Sequence, residues 1–190
     1  MSVPLLIWPV PIYKDGRKPV ITDSYGYSEE RGRLHAGIDI MYPRIPSDGG
    51  VYGVVQTPEF SRKSFMPFGI PAVAVADGKV KISALIGTGF QINLDHGSFT
   101  SQYFHLRKSF VREGQTIVKG QPLGEIGFNP IGYKLSHLHF QIKIDGNTVD
   151  PAPFFTKAQF VHNPWRNSIR WGVTTLGLLS VGWLLYKRKR

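Results

Sequence analysis

The sequence predicts a mainly antiparallel β fold, and three observations carry the prediction. Glycine and proline are abundant, 21 and 14 of 190 residues, which favours turns over helices. Between residues 20 and 155, short apolar runs alternate with clusters of turn residues. No window in that span places apolar residues at helical spacing. The length suits one globular domain with an appendage.

Taken in order, residues 1–19 read as an N-terminal arm. Residues 1–13 are apolar but broken by Pro4, Pro9 and Pro11, which favours an extended segment packing on the domain. They lack the basic start and unbroken apolar run of a secretory signal. The β domain is assigned to 20–155. Within it, Val73–Ala76, Asp77-Gly78 and Lys79–Ile82 predict a hairpin turning at Asp77-Gly78. Gln91–Leu94 ends at Asp95-His96-Gly97, and Phe140–Ile144 alternates before Asp145-Gly146-Asn147. Residues 41–70 break the pattern. They are rich in Gly, Pro and Ser, and read either as a long insertion forming a lip over a cleft or as a surface insertion with a short hairpin of its own at Val51–Val55.

Residues 156–170 form a connector. Trp171 to Tyr186 is uncharged throughout and is closed by the basic tail Lys187-Arg188-Lys189-Arg190. Sixteen helical residues reach roughly 24 Å, against a hydrocarbon core of about 30 Å. Extension to Ile169 with Arg170 snorkelling brings it close to a full span, and Trp171, Trp183 and Tyr186 sit where interfacial aromatics belong. A single C-terminal transmembrane helix is the expectation for 171–186. The basic end would then face the cytoplasm.

The formal net charge is +10, and six basic residues with no acid follow position 165. Without any nucleic-acid-binding motif, this charge fits a solvated basic surface or attraction to an anionic wall polymer, and no nucleic-acid partner is expected. The absence of cysteine excludes a disulfide framework and any thiolate metal site.

Chemistry concentrates in two strings, His35-Ala-Gly-Ile-Asp39 and Ser136-His137-Leu138-His139-Phe140, with a further histidine in Tyr103-Phe104-His105-Leu106. Imidazole nitrogens with one carboxylate suit zinc and leave a coordination position for water. On a strand, His137 and His139 share one face while Leu138 points the other way. Gly37 followed by Ile38-Asp39-Ile40 favours a turn into a strand, with the isoleucines on the core and Asp39 on the cleft. Tyr103 is a candidate helper at the substrate carbonyl and equally a candidate for the core. His96, in an Asp-His-Gly turn, reads as structural, and His162 lies outside the β domain.

These strings resemble the lysostaphin-type zinc endopeptidases, which cut peptide cross-links of bacterial peptidoglycan. The resemblance runs from about Ile21 to Phe155. It takes in Ser24-Tyr25-Gly26-Tyr27, His-x-Gly-x-Asp, Gly69–Val80, Tyr-x-His-Leu ending at Leu106, Gly114–Gln121, His-Leu-His-Phe and Val149-Asp150-Pro151. It implies a β-sandwich with its cleft across one sheet and one Zn2+ per chain on His35, Asp39 and His139. It also implies that His105 and His137 form the catalytic pair. With no glutamate on either zinc string, a histidine has to serve as base. Two departures border the cleft: Leu135-Ser136 replaces the usual Gly-Pro lead, and 41–70 is longer than the usual connection. Both bear on substrate choice.

The implied function is a membrane-anchored peptidoglycan endopeptidase of the bacterial envelope. A bacteriophage enzyme of lysis or wall penetration, seated in a virion membrane, reconciles wall cutting with the absence of an export signal. The alternatives are a non-catalytic wall-binding or activator protein and a structural virion membrane protein retaining the fold.

Overall fold

The computed structural model describes residues 5–29, 32–45, 64–130, 135–155, 158–162 and 164. The heart of the 41–70 insertion, including Val51–Val55, lies outside them, as do the 171–186 segment and the basic tail. Among the described residues no helix is long and apolar enough to cross a membrane.

Thirteen strands follow one another: β1 (Val20–Asp23), β2 (Gly26–Ser28), β3 (Arg33–His35), β4 (Ile38–Pro43), β5 (Ser64–Phe65), β6 (Pro71–Val73), β7 (Gly78–Ile86), β8 (Gly89–Asp95), β9 (Thr100–Ser109), β10 (Thr116–Ile117), β11 (Pro122–Ile126), β12 (Leu138–Ile144) and β13 (Asn147–Val149), then a short 3-10 helix, Ala152–Phe155. The fold is mainly β and its strand pairs are antiparallel. Hydrogen bonding runs through one 11-stranded system in the order β1-β4-β12-β9-β8-β7-β10, with β6 reached through β11; β2 and β3 form a separate hairpin.

The system turns over on itself along β9. Residues 100–104 of β9 pair with β12, whereas Leu106, Lys108 and Ser109 pair with β11. The change of partner falls at His105, whose φ of 62° is left-handed. The core lies between the inner face of the main sheet and the β6/β11 pair with the N-terminal arm. Ile38, Ile40, Ile92, Leu94, Tyr103, Leu138 and Phe140 meet Leu6, Val10, Ala74, Val75 and Leu123 there. Burial of such side chains is the main favourable term holding these layers together, at roughly 1.5–3 kcal/mol each.

The Asp77-Gly78 hairpin does not form. Val73–Val75 is buried, and the run bonds elsewhere: Val73 N–H donates to Pro9, Ala74 N–H to Gln121, and Gly120 N–H to Ala74. Gly78 is required by crowding, since a Cβ there would lie 2.6 Å from Asp95 O and 2.8 Å from His96 Nδ1. Asp-Gly therefore marks a close approach here, whereas the turn at Asp145-Gly146 does join β12 to β13, with φ of 49° and 81° as a type I′ turn needs.

The arm and residues 158–161 are sewn together. Trp8 N–H donates to Gln159 and Ile12 N–H to Val161. The Trp8 ring lies between Phe155 and Phe160, with centroids 5.2 Å away in each case.

Candidate metal centre

Two paired strands and the end of the separate hairpin build the centre. On β4, Ile38 and Ile40 are fully buried in the core, which turns Asp39 to the opposite face. On β12, Leu138 and Phe140 do the same for His139. Asp39 and His139 are directly opposed in the β4/β12 register, and His139 is opposed to Phe104 on its other side. His35 arrives from the end of β3, across one bend at Gly37. A Cβ on Gly37 would lie 2.4 Å from Phe140 O, 2.7 Å from Gln141 Cγ and 3.0 Å from His139 Nε2. Only a glycine lets His35 and Asp39 fold over β12.

His35, Asp39 and His139 each offer one ligand atom, all within 4.8 Å of one another. His139 Nδ1 is 2.8 Å from Asp39 Oδ1 and 3.0 Å from His35 Nε2, and His35 Nε2 is 3.2 Å from Asp39 Oδ1. Ligands about 2.0–2.1 Å from a tetrahedral centre sit roughly 3.3 Å apart, so this triangle fits three corners around a zinc-sized ion. His35 Nδ1 donates to Ser24 O at 2.8 Å, which leaves the Nε2 lone pair for the centre.

Electrostatics agree with a cation site. Burial opposes the charge on Asp39, but hydrogen bonds from His139 and His35 and the nearby imidazoles outweigh it and hold the carboxyl far below the usual range. Burial likewise opposes charge on His35, yet the hydrogen bond and charge of Asp39 raise its imidazole above the ordinary value.

His105 and His137 lie beside the triangle, ring centroids 4.9 Å apart, with His105 5.7 Å from His139. Both are tied the same way: His105 Nδ1 donates to Thr88 O at 3.0 Å and His137 Nδ1 to Leu135 O at 2.7 Å. The basic nitrogen of each is therefore Nε2; that of His137 lies 3.7 Å from Asp39 Oδ2. Burial, then the neighbouring His137, pushes His105 down to about 4.

Strict alternation along β9 would send His105 to the core side with Tyr103. The left-handed residue acts as a bulge that returns it to the cleft and lets Leu106 resume the inner face. Such a conformation costs a non-glycine residue roughly 1–2 kcal/mol. Gly127 holds the pair at the backbone level, its N–H donating to His105 O at 2.8 Å and its carbonyl accepting from His137 N–H at 3.0 Å. A Cβ at Gly127 would meet His105 O at 2.9 Å and Arg107 N at 3.0 Å.

Tyr103, a candidate for either the substrate carbonyl or the core, is in the core. It is fully buried, and its hydroxyl accepts Val75 N–H at 3.0 Å and the Ser101 hydroxyl at 3.3 Å. Its odd place in the β9 alternation fixes it in the core. His96 is structural, bonded through Nδ1 to Asp77 O and through Nε2 to Ser101. Gln141 and Gly127 escape a reading of the motifs. Gln141 follows His139 at the same-face spacing, a signal that was there to be read, whereas Gly127 carries no local mark.

The family model described as Peptidase family M23 matches residues 63–151, which include His105, His137 and His139. Over 143 residues the chain is 34% identical to the glycyl-glycine endopeptidase ALE-1 of Staphylococcus capitis, covering 70% of this chain and 37% of that protein. Over 117 residues it is 33% identical to the murein hydrolase activator NlpD of Salmonella dublin, covering 58% and 30%. The solved catalytic domain of lysostaphin from Staphylococcus simulans superposes with a TM-score of 0.51 at 25% identity, covering 74% of this chain and 92% of that one. The chain spans between 18% and 37% of the length of the first curated relatives it matches.

Proposed function

We propose a function from one premise: the chain carries a domain of peptidase family M23, the lysostaphin-type endopeptidases. It is a zinc-dependent endopeptidase that hydrolyses peptide cross-links of bacterial peptidoglycan. The observation that carries this reading is the site itself: His35, Asp39 and His139 converge, and two imidazoles stand beside them with Nε2 as the basic nitrogen.

His35 Nε2, Asp39 Oδ1 and His139 Nδ1 would hold the ion. Zinc bound there supplies Lewis acidity and lowers the pKa of a coordinated water toward neutrality. His137 is assigned as the general base. The imidazolium it becomes on taking a proton from the attacking water lies 3.7 Å from the Asp39 carboxylate, which stabilises that charge. Asp39 also favours charge on His105, but burial and the neighbouring imidazoles oppose it more strongly. Held near 4 by burial, His105 rests neutral, and it relays to the leaving amine the proton that His137 takes from the water.

The membrane anchor at 171–186 is part of the same proposal, supported by the uncharged run and its basic flank. The full chain should partition with membranes and resist carbonate extraction; release by carbonate removes the anchor.

The test is digestion of purified glycyl-bridged and directly cross-linked muropeptides with mass detection. Wild type should cleave at least one kind and stop on chelation. His139→Ala should lose both zinc and cleavage, and undiminished hydrolysis by that variant overturns the assignment. His137→Ala should keep zinc and lose turnover; loss of zinc there means base and ligand are exchanged. Zinc-loaded protein that cleaves neither substrate but accelerates a separate wall hydrolase moves the chain to the activator reading, which the NlpD relatives support.

A further inference from the structure

Gln141 follows His139 on β12 at the same-face spacing, and its amide lies 2.8 Å from His139 Nε2. In the structure the amide nitrogen faces the ring. That is self-consistent for a ring carrying its proton on Nδ1: Nδ1–H donates to Asp39 Oδ1 at 2.8 Å, and Nε2 accepts from Gln141. A cation taken on Nδ1 displaces that proton, so the ring proton must sit on Nε2. The amide nitrogen would then meet a second donor, and only the amide oxygen can answer it.

The strand on the other side supplies what a turned amide needs. Gln102 on β9 is directly opposed to Gln141. Gln102 is buried, and among the described residues its Oε1 has no hydrogen-bond partner. A buried acceptor left unpaired costs about 1–3 kcal/mol, so the orphan calls for an explanation. Opposed side chains on neighbouring strands are within reach of each other.

Resting on the reading of His35, Asp39 and His139 as the metal ligands, we propose that Gln141 is a positioning residue that turns its amide over when the centre is loaded. In the loaded state Gln141 Oε1 accepts from His139 Nε2–H, and Gln141 Nε2–H donates to Gln102 Oε1. The two-amide relay selects the ring tautomer that presents Nδ1 to the ion. It accounts at once for an amide placed on a ligand histidine and for an acceptor buried without a partner.

The experiment measures zinc affinity of the full chain by chelator competition, for wild type, Gln141→Met, Gln141→Glu and Gln102→Met. Gln141→Met keeps the volume but cannot accept, and should bind zinc about 10- to 100-fold more weakly. Gln141→Glu retains an acceptor and should bind at least as tightly as wild type. Gln102→Met, which alters neither charge nor the His139 contact, should weaken binding several-fold. The exchange-protected Nε2 proton of His139 should appear in spectra of loaded wild type and Gln141→Glu and be absent from loaded Gln141→Met. Wild type that fails to bind zinc defeats the metal-centre reading. Wild type that binds zinc alongside a Gln141→Met variant of equal affinity, or a Gln141→Glu variant as weak as Gln141→Met, defeats the relay alone.

Discussion

A single methyl group at Gly37 should dismantle the metal centre. The added Cβ would sit 2.4 Å from Phe140 O, a backbone atom of β12 that cannot rotate away. Carbon–oxygen contacts settle at about 3.3–3.6 Å, so the strands must part by about 1 Å. Overpacking of this kind costs about 1–3 kcal/mol, or about 2–12 °C in Tm for a chain of this size. The metal penalty is sharper. Ligand distances tolerate about 0.2 Å, and the forced movement is several times that, between the very strands carrying Asp39 and His139. Gly37→Ala should therefore bind zinc at least tenfold more weakly, about 1.4 kcal/mol. Chelator competition and thermal unfolding of the metal-free form separate the two effects. Gly87→Ala is the control, since a Cβ there meets nothing within 4 Å and its backbone is not left-handed, and it should stay within about 0.5 kcal/mol of wild type. A Gly37→Ala protein with wild-type zinc affinity and unchanged Tm would refute the claim that this glycine is dictated by close approach.

The metal-free domain should lose stability on acidification between about pH 6.5 and 4. His105 is depressed from its ordinary value to about 4 by burial and neighbouring imidazoles, so in this window the unfolded chain binds the extra proton. The loss approaches about 3 kcal/mol at the lower end. His35, raised instead, contributes fully below its unfolded value and is lost only as pH rises through its folded one, so it leaves this slope alone. Denaturant melts of His105→Ala should show a flattened slope; an unchanged one removes His105 as its source. Gly127→Ala should bind zinc normally while kcat falls at least tenfold, because the clash lands on the backbone joining His105 to His137. Equal losses in zinc affinity and kcat would mean that Gly127 serves the ligands as well.

Much of this site is legible in the chain because strand periodicity is a local rule. Ile38-Asp39-Ile40 and Leu138-His139-Phe140 each declare which face is buried, and the structure buries those faces. What strand periodicity cannot reveal is pairing between distant segments. Val73–Ala76 looks like half a hairpin, but its partners are Pro9, Gly120 and Gln121. Tyr103 and His105 share a face by counting and occupy opposite faces in space, because one left-handed residue resets the count. Gly127 and the Gln102–Gln141 opposition depend on strands far apart in sequence meeting in register.

The seam between the arm and residues 158–161 sets how the domain carries a load. Arm and exit segment run parallel at Ile7 and Gln159. Tension arriving through the chain beyond Pro164 would meet the Ile12–Val161 bond first and the Trp8–Gln159 bond after it, while the indole wedged between two phenyl rings resists sliding. A tether pulled from that side strains the stitching at the far edge before any force reaches the strands that grip the ion.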